Sequence, residues 1–254
     1  MLEIRGLAKS FGDLRVVEDV SFIARDGEIT GLIGPNGAGK TTVFRMICTV
    51  LRPERGTTLI DGIDSQTDPL AARRRLGVLP DIRALYPRLT AREHLRYFGE
   101  LHGMARGELD ARIAELVATL RMEDFIDRRA KGFSRGQQMK VALGRALAHR
   151  PHNILLDEPT NGLDVATSRA VRDLLRRLRG EGRCILLTSH AMQEVAALAD
   201  RIVILARGAV VLEGTPAELR RATGLHELEE IFMATTQERA AEEPAAEPAL
   251  AAGE

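Results

Sequence analysis

The sequence predicts an α/β fold: a largely parallel sheet covered by helices, with antiparallel strands at its N-terminus and a helical lobe inserted midway. Three observations predict it. A glycine-rich loop, Gly34 to Thr41, lies between an apolar strand segment and a helical pattern. Short apolar runs alternate with helical spacing from Asn153 to Leu205. Between Thr90 and Pro151 the helical spacing recurs without a strand signal. At 254 residues the chain can bury a substantial core as one domain with an inserted lobe.

Taken in order, Leu2 to Leu7 and Val16 to Ile23 read as two strands around the polar turn Lys9 to Asp13, in which Phe11 is an exposed aromatic. Ile29 to Ile33 is a strand, and Val43, Phe44, Met46 and Ile47 mark the helix after the loop. Pro53-Glu54-Arg55-Gly56 turns the chain; Thr57 to Ile60 and Leu76 to Leu79 are further strands. Thr90 and Glu93 fit a capping box, with Leu95, Phe98 and Leu101 at helical spacing behind it. A second helix covers Glu108 to Leu120, and Ser134 caps a third. This places a helical subdomain at about 84–150. Ile154 to Leu156, Cys184 to Thr188 and Ile202 to Leu205 are buried strands, with helices at Ala166 to Leu178 and Gln193 to Leu198. Thr215-Pro216-Ala217-Glu218 opens a last helix with cap, proline and glutamate in place. The main domain spans 1–236. From 237 to 254 the chain is mostly Ala, Glu and Pro, a composition too polar to offset the entropy of ordering, so a disordered tail is expected.

Composition narrows the function classes. Lys plus Arg and Asp plus Glu are 36 each, so charge gives no case for nucleic acid as partner. Cys48 and Cys184 both lie in apolar segments, which reads as buried thiols in a reducing compartment. Glu3, Arg5 and Lys9 interrupt any signal-like apolar core, and no window holds about 18 consecutive apolar residues. Any membrane role is therefore expected to run through a partner. The segment from Arg121 to Arg150 is locally basic, which fits either a solvated face or one near anionic lipid.

The chemistry starts at Gly34-Pro35-Asn36-Gly37-Ala38-Gly39-Lys40-Thr41, which matches G-x-x-x-x-G-K-[ST] without substitution and is followed by Thr42. Glycines let successive N–H groups point inward to hold phosphates, and the helix adds its positive end. Lys40 would reach the β- and γ-phosphates, and Thr41 would offer its hydroxyl to Mg²⁺. The chain is thus expected to bind a nucleoside triphosphate. Asp157, at the end of an apolar strand, is placed to hold Mg²⁺, and Glu158 to polarise the attacking water. His190 ends the next strand on the same sheet edge and could orient that water. His94, His102, His149 and His226 read as ordinary polar residues. Ser134, Gly136 and Gln137 form a second helix start able to hold an anion, suggesting a γ-phosphate clamped from two sides, by two copies of the chain.

These motifs closely resemble the ATP-binding subunits of ABC transporters over roughly residues 2 to 235. Phe133-Ser134-Arg135-Gly136-Gln137 is similar to the family signature Leu-Ser-Gly-Gly-Gln, and Gly162-Leu163-Asp164 looks like the loop that crosses the dimer interface. The resemblance implies the ABC ATPase fold, a phosphate-loop nucleoside triphosphatase core. It also implies ATP and Mg²⁺ as cofactors and a head-to-tail dimer with Asp164 at its interface. Phe11 would stack on adenine, and His190 would be the switch histidine. A homodimer or paired ATPase subunit, and an integral membrane permease subunit at the cytoplasmic face of a bacterial membrane, are the partners implied. Two positions depart from the family. Arg135 stands where the signature has its first glycine, and Asp81 where a glutamine normally meets Mg²⁺. Asp81, Leu85 to Glu93 and Asn153 to Val165 together look most like the sodium-exporting bacterial subfamily, with exporters of drugs, antibiotics or polysaccharides as alternatives. Soluble ABC-type ATPases of translation or DNA repair carry tandem cassettes or long coiled coils, and neither is present here. A GTPase would need an Asn-Lys-x-Asp motif, which is also missing.

Overall fold

The computed structural model describes residues 1–81 and 84–242. A hairpin, β1 (Leu2–Phe11) and β2 (Leu14–Ala24), leads to the central strand β3 (Ile29–Ile33), the phosphate loop and α1 (Lys40–Ile47). The small strands β4 (Arg55–Ile60) and β5 (Ile63–Asp64) return beside β1, and α2 (Pro69–Arg74) leads to β6 (Leu76–Leu79). Next come α3 (Ala91–Leu101), α4 (Arg106–Leu120) and α5 (Arg135–Leu147), the lobe that intervenes before β7 (Asn153–Asp157). The chain then alternates through α6 (Val165–Gly180), β8 (Cys184–Thr188), α7 (Met192–Leu198) and β9 (Arg201–Ala206). It closes with β10 (Ala209–Gly214), α8 (Pro216–Thr223) and α9 (Leu228–Glu242).

Among the described residues, ten strands lie in the order β5-β4-β1-β2-β10-β9-β3-β8-β7-β6. β3, β6, β7, β8 and β9 are parallel, whereas β1, β2, β4 and β5 pair antiparallel. One pair, Ala209 of β10 with Asp19 of β2, joins the two halves. The parallel strands are apolar on both faces because both are covered, and their side chains alternate between two cores. Ile154, Leu156, Ile185, Leu187, Ile202 and Ile204 face the core shared with the lobe and α6. Leu155, Leu186, Val203 and Leu205 face the core beneath α1. That two-sided burial fixes the register, since a slip of one residue would exchange every side chain between the cores.

Caps define the helix starts as the sequence predicts. Thr90 with Glu93, Ser134 with Gln137 and Thr215 with Glu218 each form a reciprocal capping box. Both cysteines are free and buried. Three differences stand out. β1 runs on through Phe11, so that residue sits at a strand end, with the turn reduced to Gly12 and Asp13. The short α2, β5 and β10 carry no strong periodicity and went unforeseen. Helix α9 continues to Glu242, past the change in composition, because alanine and glutamate are both good helix formers; residues 243–254 of the expected tail lie outside the described residues. In the basic segment, Lys140 bonds the Arg121 carbonyl, Arg145 the Ala84 carbonyl and Arg150 the Glu115 carboxylate. Those three cations have partners within the chain.

Two histidines tie the lobe to the sheet. His102, which caps α3, and His149, just beyond α5, stack at 3.5 Å with an interplanar angle of 3°. His149 Nε2 lies 3.0 Å from the Leu76 carbonyl oxygen on β6. Its Nδ1 is buried without a hydrogen-bond partner among the described residues. Burial, with His102 and the Arg112 guanidinium nearby, pulls the His149 pKa from 6.5 to about 4. The unfolded chain therefore binds a proton on acidification before the folded one does, and stability falls as pH drops from about 6.5 towards about 4. The slope for one such proton is about 1.4 kcal/mol per pH unit. His94 and His102 are lowered in the same direction by burial and add to the slope. Replacing His149 by Gln keeps a donor for Leu76 and removes one titration. Urea unfolding across this range should show a shallower loss of stability for H149Q; an unchanged slope would mean that His149 is protonated in the fold.

Candidate functional site

The phosphate loop is shaped by the backbone around it. A Cβ on Gly34 would lie 2.3 Å from the Leu205 carbonyl oxygen, and one on Gly39, 2.8 Å from that of Val16. Gly37 and Gly39 have φ of 82° and 99°, which favour glycine. Asn36 and Ala38 complete the curve, with the Ala38 carbonyl accepting from Gly208 N–H at 3.1 Å. Gly39 caps α1 without a side-chain hydrogen bond, and the first turn holds no acidic residue. The start of α1, including Lys40, Thr41 and Thr42, thus offers N–H groups and a positive dipole end to an anion. Lys40 Nζ donates to the carbonyls of Gly34 (2.6 Å) and Pro35 (3.0 Å), folded over the loop it would share with a phosphate.

Facing the loop, the ends of β7 and β8 deliver the acidic groups. In register, Asp157 pairs with Thr188. Thr188 Oγ1 donates to Asp157 Oδ1 at 2.5 Å, and Glu158 N–H donates to the Thr188 backbone oxygen and Oγ1, both at 3.2 Å. Glu158 takes φ of 50°, a left-handed conformation that costs a non-glycine residue about 1–2 kcal/mol. His190 Nδ1 lies 2.9 Å from Glu158 Oε2, with the carboxylate largely covered and the ring 61% exposed.

These groups share one cleft of about 420 Å³, lined by Asn36, Lys40, Thr41, Arg45, Asp81, Asp157, Glu158, Asn161 and His190 among others. Burial pushes the Asp157 carboxyl above its ordinary range; the Thr188 hydrogen bond opposes this, and the charge of Asp81 adds to it. Burial lowers the Lys40 pKa, partly offset by Glu158 and Asp157. A buried carboxylate whose ionised form is disfavoured, beside a second carboxylate and a hydroxyl, is a hard-oxygen donor set that a divalent cation would relieve. A cation and a polyphosphate therefore fit the residues present.

The other expected site residues lie elsewhere. Phe11 ends β1, half exposed, with Lys9 Nζ 5.6 Å from its ring centroid. Ser134 and Gln137 are engaged in the α5 capping box: Gln137 N–H donates to Ser134 Oγ at 3.2 Å, and Gln137 Oε1 accepts from Ser134 N–H at 3.1 Å. Gly136 lies against Thr167 of α6, and Asp164 caps that helix by accepting from Thr167 N–H at 2.8 Å. Among the described residues, neither Phe11 nor these four line the Lys40 cleft. Sequence reasoning did not single out Thr188, although aligning the ends of the two apolar strands would have set it opposite Asp157.

A family model described as ABC transporter matches residues 17–161, more than half of the chain and inclusive of the loop and the Asp-Glu pair. The chain belongs to the ABC transporter family. It is an ATP-binding subunit of that family and an ATPase. The chain is 41% identical to the ABC transporter ATP-binding protein NatA of Bacillus subtilis over 238 residues, 92% of this chain and 97% of the relative. It is 40% identical to the Nod factor export ATP-binding protein I of Bradyrhizobium diazoefficiens, over 86% of this chain and 71% of that protein. A solved ATP-binding subunit of an ABC transporter superposes with a TM-score of 0.87 at 32% identity, covering 93% and 99% of the two chains. A dimeric bacterial ABC transporter cassette gives 0.78 at 30% identity, over 85% and 98%.

Thr188 gives this subunit a direct test. Thr188→Val removes the Oγ1 that binds both Asp157 and the Glu158 N–H while keeping the side-chain volume. Losing a hydrogen bond to a charged group costs about 1.5–3 kcal/mol, so ATP turnover should fall by roughly 10- to 100-fold with the circular dichroism spectrum retained. Unchanged turnover would show that the strand ends hold the carboxylates unaided.

Proposed function

We propose that this subunit is the ATP-hydrolysing motor of an ABC exporter, working as a pair of copies around two ATP molecules on the cytoplasmic face of a bacterial membrane. The observation that carries the reading is the Glu158–His190 contact of 2.9 Å, in the cleft that also contains Lys40 and Asp157. Glu158 accepts the proton of the attacking water, and His190 holds the carboxylate in place and meets the γ-phosphate. The loop N–H groups and Lys40 bind the β- and γ-phosphates. Thr41 and Asp157 would hold Mg²⁺, with Asp81 as a further acceptor beside them, and the ion would supply charge neutralisation at the phosphoryl oxygens. Phe11 stacks on the adenine. Ser134, Gly136 and Gln137 of the second copy close over the γ-phosphate, and Asp164 lies at that interface.

No helix among the described residues is long and apolar enough to cross a membrane. The path for cargo is then supplied by an integral membrane permease subunit, which this reading docks between the lobe and the Asp81 loop. The 84–93 stretch is held by the lobe: Tyr86 N–H donates to His94 Nε2 at 2.9 Å, and Arg145 donates to the Ala84 carbonyl at 3.0 Å. Sodium ions are the cargo favoured here, supported by the subfamily resemblance of the motifs and by the extent of the likeness to NatA. The likeness to the Nod factor export protein keeps export of a larger molecule as the second reading.

Glu158→Gln keeps the shape and removes the base. It should lower kcat by about 10²–10⁴, leave ATP binding intact and accumulate an ATP-bound dimer in size-exclusion chromatography. Turnover near the wild-type value would remove Glu158 from this role. Asp81→Ala should reduce transport by the assembled transporter far more than ATPase activity of the isolated subunit. Equal losses in the two assays would make Asp81 a group of the ATP site alone.

A further inference from the structure

The signature-like segment departs from its family at Arg135, and the structure gives that side chain a neighbour. Arg135 is the first residue of α5, exposed, and reaches across to the loop between β7 and α6. A Cβ built on Gly162 would stand 2.9 Å from Arg135 Nη1, 3.7 Å from its Cδ and 3.8 Å from its Cζ. The guanidinium and its stem therefore lie over the bare face of that glycine. Gly162 itself has φ of 71° and turns the chain towards Asp164. One residue further along α5, Gly136 meets the first turn of α6. A Cβ on Gly136 would be 3.3 Å from Thr167 Oγ1, and Thr167 Oγ1 donates to Asp164 Oδ2 at 2.9 Å.

A cation in the first turn of a helix faces the positive end of the dipole, so helix formation does not favour arginine at this position. No salt bridge among the described residues compensates it. What the side chain does have is a planar, extended contact surface matched to a glycine. We propose that Arg135 is a positioning residue that fastens the Gly162–Asp164 loop to the first turn of α5, so that both meet the second copy of the chain as one surface. This rests on the ATP-driven pairing proposed above. In that pairing the α5 start and the loop contact the same partner copy, and their relative placement decides how well the two halves fit. Where the family pattern has glycine, nothing spans this gap from α5; here the arginine spans it and keeps the loop from moving independently.

The experiment uses the full chain carrying Glu158→Gln and reads the ATP concentration giving half-maximal dimer by light scattering. Added to it are Arg135→Gly, Arg135→Lys, Gly162→Ala and the double substitution R135G/G162A. Arg135→Gly and Arg135→Lys should each raise that concentration by about fivefold, since lysine keeps the charge but not the planar span. ATP affinity of the single copy, read with a fluorescent analogue below the dimerisation range, should stay within about twofold, because Arg135 does not line the Lys40 cleft. G162A displaces Arg135 and strains the turn; in the R135G background only the strain remains. Its cost should therefore be about threefold smaller there than alone. Equal costs in the two backgrounds would overturn the contact. Full retention of the wild-type value by R135K would show that charge alone matters and would equally overturn the proposal. Failure of the E158Q chain itself to dimerise with ATP would instead defeat the functional reading beneath it.

Discussion

The pairing of Asp157 with Thr188 across β7 and β8 is the constraint on which the site depends. It is set far from any ligand, by apolar side chains that must divide between two cores. With both faces of the sheet covered, a strand has one acceptable register, and the strand ends arrive at fixed heights. One hydroxyl then serves two neighbours: Thr188 Oγ1 donates to the Asp157 carboxylate and accepts the Glu158 N–H. Glu158 turns into the left-handed region directly after the strand, and its carboxylate meets His190. The hydrophobic effect thus places polar groups to within a hydrogen bond's length.

The electrostatics of the cleft follow from that placement. Asp157 is buried beside a second carboxylate, Asp81, so its ionised form is disfavoured in the protein by itself. Lys40 is drawn down by burial and instead folds onto carbonyls of its own loop. Each group is less comfortable than it would be on the surface, and each would gain from a counter-charge of the right sign. A polyphosphate and a divalent cation together would supply both signs.

The sequence made the phosphate loop, the acidic pair and the caps legible because each is local: spacing and residue type within a few positions determine them. Thr90 with Glu93 and Thr215 with Glu218 are cases where a four-residue pattern sufficed. Thr188 escaped notice because its importance lies in what it faces across a ladder, and one chain read end to end does not display registers. β10 escaped for a related reason: its residues are only partly buried and mark no face clearly. The approach of Arg135 to Gly162 likewise depends on how the start of α5 and the loop before α6 meet in space. Helix α9 shows the opposite limit. Its last residues follow local propensity where composition had suggested none would be ordered.

One further feature concerns the boundary between the antiparallel and parallel halves of the sheet. Among the described residues, one ladder pair, Ala209 with Asp19, crosses it, and the gap is closed by backbone: Glu18 N–H bonds the Gly208 carbonyl, and Gly208 N–H bonds that of Ala38. A Cβ on Gly208 would sit 2.6 Å from the Val16 carbonyl oxygen, so the crease admits no side chain there. Because Ala38 belongs to the phosphate loop, the loop is itself one of the stitches along this crease. A force on the loop would reach β2 through two backbone hydrogen bonds, Ala38 to Gly208 and Gly208 to Glu18, without passing through a side chain.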